Sequence, residues 1–168
     1  MFASLVVAAF VCVPLGLLAF GDLRRRRLPN WLIVWYAAGF FVAFWLAGPA
    51  VSVVKLHLGT AAVGFVVLFV LFALGIMGGG DVKLGTAVFL WSGPSLAFPT
   101  VAIIAWAGGI LAVLGWLVDR KAYQRLTWRP ARCVGHALSA RRGVPYGVAL
   151  ACGGWFVVWQ QYQSLGKI

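Results

Sequence analysis

Apolar residues in this chain are gathered into runs rather than spaced along one face of each predicted element. Five of the runs are long, at 2–20, 31–46, 58–77, 95–118 and 146–162, and short stretches rich in Gly, Pro and basic residues separate them. Each approaches the roughly 20 apolar residues that an α-helix needs to span the ~30 Å hydrocarbon core of a bilayer. A sixth run, 84–91, is shorter and stops at the break Gly93-Pro94. Periodicity and length predict an all-α integral membrane protein, 1–168 forming a single transmembrane domain.

Composition agrees. The chain is 63% hydrophobic and 10% charged, with a mean hydropathy of +0.97, whereas soluble domains are about half apolar and about a quarter charged. The net charge of +11 would suggest a nucleic-acid partner in a soluble protein. Here the cations lie between apolar runs and act as orientation signals, so no nucleic acid is expected. They fall in two clusters, Arg24 to Arg27 and a basic loop at 119–143 that carries seven more Lys and Arg. Both clusters belong on the cytoplasmic side, where they also meet anionic lipid. That holds only if the short run 84–91 crosses as well. The prediction is a six-helix transmembrane bundle with both termini on the outer, periplasmic side, leaving only Lys55 and Lys167 outside.

In a chain with three acids, Asp22, Asp81 and Asp119, the positions of the first two carry the chemistry. Asp22 ends the first apolar run. Asp81 follows Gly78, Gly79 and Gly80 at the mouth of the short one. A helix from Val82 to the Gly93 break rises only ~15–20 Å at about 1.5 Å per residue. Asp81 is therefore expected in a recess below the inner surface, where irregular backbone is tolerated only under a cover of protein or water. Two carboxylates on one membrane face can share a proton, one drawing a proton from water while the other polarises a carbonyl, as in aspartic proteases. Other readings stand beside this one. Asp81 can serve as an N-cap, Asp22 as a helix-end acid paired with the arginines, and intramembrane carboxylates also serve small proton- or ion-coupled transporters.

The motifs around the two acids resemble the type IV prepilin peptidase family. Asp22 followed at fixed distance by Leu28, Pro29 and Asn30 is similar to its first motif; Gly78-Gly79-Gly80-Asp81-Val82-Lys83 resembles its second, of GxGD type; Pro145-Tyr146-Gly147 resembles a segment opening its last helix. The resemblance implies a membrane aspartic endopeptidase with Asp22 and Asp81 as catalytic pair. Gly78, Gly79 and Gly80 would shape the loop, with Lys83, Pro29, Asn30, Pro145, Tyr146 and Gly147 in support. The implied substrates are prepilins and pseudopilins, whose basic leader precedes an apolar helix and is removed at the cytoplasmic face of the bacterial inner membrane. The compact form is most similar to the peptidases of tight-adherence (Flp) pilus systems. Larger relatives add a domain with two CxxC pairs and N-methyltransferase activity; without those cysteines, neither zinc nor a methyltransferase domain is expected, and no cofactor.

The remaining features read as structure. Cys12, Cys133 and Cys152 form no ligand pattern, and His57 and His136 have no partner at metal-ligand spacing, so both are expected to be ordinary interface residues. The tryptophans fall mostly near helix ends, as in an aromatic belt.

Overall fold

Glycine and proline end two of the helices in this fold and break the longest. The computed structural model describes residues 2–119 and 145–165. Its elements are α1 (Phe2–Arg25), α2 (Asn30–Ala47), α3 (Val51–Ala73), α4 (Gly79–Asp119) and α5 (Tyr146–Leu165). Most of the basic loop, at 120–143, lies outside the described residues together with Cys133, His136 and Lys167.

α2 stops at Gly48, whose left-handed backbone (φ 61) brings its N–H to the Phe44 carbonyl at 3.0 Å. Pro49 then cannot continue the helix. α3 closes with two bonds, Gly75 N–H to Phe72 O at 2.9 Å and Ile76 N–H to Leu71 O at 3.0 Å, which is a Schellman motif built on Gly75 at φ 74. Hydropathy predicts this segment at 58–77, whereas the helix is shifted to Val51–Ala73. Lys55 and His57 lower the local hydropathy without breaking helical hydrogen bonding, and Gly75 ends the helix before the apolar run does. Three segments, Asn30–Ala47, Val51–Ala73 and Gly79–Val118, are long and apolar enough to cross a membrane.

The core lies between α1, α2, α4 and α5, where Leu15, Leu18, Tyr36, Phe40, Leu84 and Leu150 are almost entirely buried. Trp91 stacks on Tyr36 with ring centroids 5.7 Å apart and donates its indole N–H to the Tyr36 carbonyl at 2.9 Å. The outer surface is apolar, with Trp45 86% and Phe98 85% exposed, as suits contact with lipid.

Six membrane segments are expected and five helices are described, because the two expected on either side of Gly93-Pro94 both belong to α4. At Gly93 the backbone leaves helical geometry (φ 57, ψ −175) for a region occupied essentially by glycine alone. The break is finished as a true helix end. Pro94 has no N–H to give the Leu90 carbonyl four residues back, and His57 Nδ1 donates to that oxygen at 2.8 Å. Ser92 Oγ donates to Phe89 O at 2.9 Å, and the Gln161 side-chain amide donates to Trp91 O. Past the break the chain reverses. Along α5, Leu150 meets Gly85 and Gln161 meets Trp91, while Tyr146 and Ala149 meet Gly108, and Gly153 meets Ile104 and Thr100. α5 thus ascends the numbering of the first part of α4 and descends that of the second, so the two parts are antiparallel.

His57, expected as an ordinary interface residue, is instead buried, its ring packed between Phe40 and Phe44 with centroids 5.3 and 4.9 Å away. The orphaned carbonyl made by Pro94 gives the imidazole a partner inside the fold. A Cβ added at Gly93 would lie 2.6 Å from the His57 ring, whereas one at Gly48 would meet nothing within 4 Å. Gly93→Ala should therefore lower stability by about 2–5 kcal/mol, combining backbone strain with overpacking. Gly48→Ala should cost only the left-handed penalty of about 1–2 kcal/mol. Thermal unfolding in detergent compares the two, and equal losses would show that His57 does not hold the break.

Candidate active site

α1 continues as a helix past the apolar run and through Asp22. It ends at Arg25, and Pro29 biases Leu28 away from helical geometry. Arg26 takes a left-handed backbone (φ 52), with its N–H on the Asp22 carbonyl at 3.0 Å. The chain thereby folds back, bringing the Arg27 carbonyl against Gly21 and Leu28 between Gly80 and Gly147.

Asp22 is only 6% exposed. Its carboxylate lies at the start of α5, where the backbone N–H groups of Gly147 and Val148 hydrogen-bond to it. The Gly147 amide belongs to the first turn, which a helix leaves without i−4 acceptors, the Val148 amide also donates to the Pro145 carbonyl at 3.2 Å, and the helix dipole there favours a negative charge. Asp22 Oδ2 makes no hydrogen bond. A Cβ at position 147 would stand 2.9 Å from the Asp22 carboxylate and 3.0 Å from Leu28 Cδ2, so this approach requires glycine.

Asp81 stands in the first turn of α4. It is not the N-cap residue. From the third helical position its carboxylate accepts the backbone N–H of Gly78, the acidic half of a capping box. A Cβ at Gly78 would come within 3.1 Å of Asp81 Oδ2, and one at Gly80 within 3.3 Å of Leu28. Asp81 is half-buried and Gly78 exposed, so the site opens on the glycine side. The two carboxylates interact electrostatically with each other, and Arg26 acts on both.

The supporting residues anticipated from the sequence divide by position. Lys83 Nζ donates to Asn30 Oδ1 at 3.2 Å, tying the first turn of α2 to that of α4. Pro29 is the N-cap position of α2 with extended backbone (φ −61, ψ 125). Pro145 is fully buried, and Tyr146 leans on Gly108 rather than toward the acids. Gly79 packs near the Phe72 ring. Asp119, the third acid, ends α4. The residue that sequence reasoning passes over is Arg26. Nothing in a run of four arginines distinguishes it, and only the left-handed turn sets it apart. Among the described residues no group of three or more His, Cys, Asp or Glu side chains comes together to hold a metal.

The model of the type IV leader peptidase family matches residues 9–113, which takes in both acids and leaves α5 outside. Comparison with curated proteins and with solved structures yields no match. With the family model covering well over half of the chain, and with both acid motifs inside it, this membrane protein belongs to the type IV leader peptidase family.

Proposed function

We propose that the protein is a membrane-embedded aspartic endopeptidase that removes the basic leader of type IV prepilins and pseudopilins, with Asp22 and Asp81 as its catalytic pair. The observation that carries this reading is the electrostatic interaction of two acids 59 positions apart, from α1 and α4, with Leu28 lying between the glycines that flank them, Gly80 and Gly147. In this proposal one carboxylate, ionised, takes a proton from a bound water as that water attacks the scissile carbonyl. The other, protonated, donates to the carbonyl oxygen; when the tetrahedral intermediate collapses it takes that proton back, and the first passes the proton gained from water to the leaving amine. Asp81, half-buried on the open glycine side of the pair, is the carboxylate that water reaches more readily. The family membership leaves the ion-coupled transporter without support.

The proposal extends to topology. The segments on either side of Gly93 would each cross, giving six in all with both termini outside, and Asp22 and Asp81 would lie at the cytoplasmic face of the bacterial inner membrane. Two facts support it: the antiparallel course of the two parts of α4 and the concentration of basic residues beside the acids and at 120–142. The first part of α4 then spans only ~20 Å at about 1.5 Å per residue, which recesses Asp81 next to the point where a prepilin's own apolar helix would enter the bilayer. An Flp-type prepilin is the preferred substrate on the motif resemblance.

Co-expression with an Flp-type prepilin tests the reading by a size shift on gels. Asp22→Asn and Asp81→Asn, at matched membrane levels, should each lower processing at least a hundredfold, since Asn keeps the shape but cannot move a proton. Residual cleavage by either variant would remove that residue from the pair, and no cleavage by the wild type would remove the substrate class. Gly147→Ala should slow processing about tenfold by displacing the Asp22 carboxylate. Gly109→Ala, where a Cβ meets nothing within 4 Å, should process at the wild-type rate; equal behaviour of the two would show that α5 does not position Asp22.

A further inference from the structure

We propose that Arg26 is a positioning residue of the active site, a built-in counter-ion that holds the Asp22–Asp81 pair to one shared proton, and not one of four interchangeable orientation charges. The inference rests on the peptidase reading above for its catalytic consequence. Its physical basis is separate.

Arg26 is the single non-glycine residue with positive φ among the described residues. The left-handed position after a helix is usually glycine, and an L side chain there is strained by its Cβ. In a chain with 21 glycines, an arginine at this position marks a place where backbone strain is held by its surroundings, and such places concentrate at functional sites. The strained turn does two things at once. Its N–H closes the last turn of α1 on the Asp22 carbonyl at 3.0 Å, and the reversal that follows drives Leu28 between Gly80 and Gly147. Arg24, Arg25 and Arg27 are exposed, while Arg26 is half-buried and its charge reaches both carboxylates.

The charge balance gives the turn its purpose. Two carboxylates sharing one proton carry a single negative charge, and one guanidinium, which does not lose its proton, neutralises it. Among the described residues, the other groups packed around the pair leave that task to Arg26. α5 presents the amides of Gly147 and Val148 to Asp22, and α4 begins with the Gly78 amide on Asp81. Lys83 of α4 is exposed and bonded to Asn30 of α2, Tyr146 faces Gly108, and the one charged residue of α3, Lys55, lies in its first turns. Without Arg26 the pair takes up its second proton at higher pH and loses the base that activates water.

The test uses the full chain in membranes and compares Arg26→Gly, Arg26→Lys, Arg24→Gln and Arg25→Gln. Arg26→Gly removes the charge and relieves the left-handed strain, so its thermal stability should equal or exceed that of the wild type. Its prepilin cleavage should show an acidic limb moved up by about one pH unit, in keeping with the effect of a nearby opposite charge on a carboxylate, with kcat at pH 6 down about tenfold and KM little changed. Arg26→Lys should restore the limb, and Arg24→Gln and Arg25→Gln should leave it in place. A second readout needs no substrate. Dicyclohexylcarbodiimide labels protonated carboxyls in apolar surroundings, and mass spectrometry locates the adduct. The onset of labelling at Asp22 or Asp81 as pH falls should move up by a similar amount in Arg26→Gly. An unchanged limb and an unchanged labelling onset overturn the role of Arg26. If the wild type cleaves no prepilin, the peptidase reading falls and the labelling onset alone decides whether Arg26 holds the pair.

Discussion

A carboxylate buried at the end of an apolar helix must find hydrogen-bond donors inside the protein, because burial removes the water that would otherwise supply them. Asp22 finds them in the first amides of α5, and that contact governs the arrangement around it. The donors have to arrive as a helix N-terminus, where N–H groups are free. Gly147 has to be glycine, because any side chain would occupy the carboxylate's place. Once α5 is docked on Asp22, it lies against both parts of α4 and carries Leu150 into the core beside Leu84 and Val88. A contact between residues 125 positions apart thus orders the bundle around the acids.

The first part of α4 is held at both ends, which is what makes the position of Asp81 definite. At one end Asp81 caps its own helix through Gly78, and Lys83 reaches across to Asn30. At the other end, the carbonyls that Gly93 and Pro94 leave open are taken up by His57, Ser92 and Gln161, side chains from α3, α4 and α5. A short rod secured in this way cannot slide along its axis without breaking buried hydrogen bonds, each costly to lose away from water. His57 and the acids lie at opposite ends of the same rod, so a residue with no chemistry of its own at the site still contributes to where the chemistry occurs.

The family match ends at residue 113, yet the amides that receive Asp22 come from residues 147 and 148. The part of the molecule matched by the family model therefore supplies both acids, and the part beyond it supplies the donors for one of them. The turn at Arg26 joins the two, because Leu28, placed by that turn, touches glycines of both α4 and α5. Leader removal from a membrane-anchored substrate would require water, acid and apolar helix to meet at one depth, and a site built from three helix ends suits that requirement.

Much of this was legible in the sequence, because the signals were local. Apolar runs of bilayer length point to membrane helices, Gly93-Pro94 to a break, and the near absence of acids from the chain draws attention to Asp22 and Asp81. Helix limits were less legible. α1 runs on to Arg25 and α3 is shifted to Val51–Ala73, since hydrogen bonding, capping and the left-handed glycine set those limits rather than hydropathy. What only tertiary structure decided depends on pairs distant along the chain: Asp22 with the α5 amides, His57 with the carbonyl that Pro94 orphans, Lys83 with Asn30, and one half-buried arginine out of four whose charge acts on Asp81 as well as Asp22. Each is a donor meeting an acceptor, or a charge meeting a charge, across more than one helix. Local pattern specifies that such groups need partners, but not which partner the packing will bring to them.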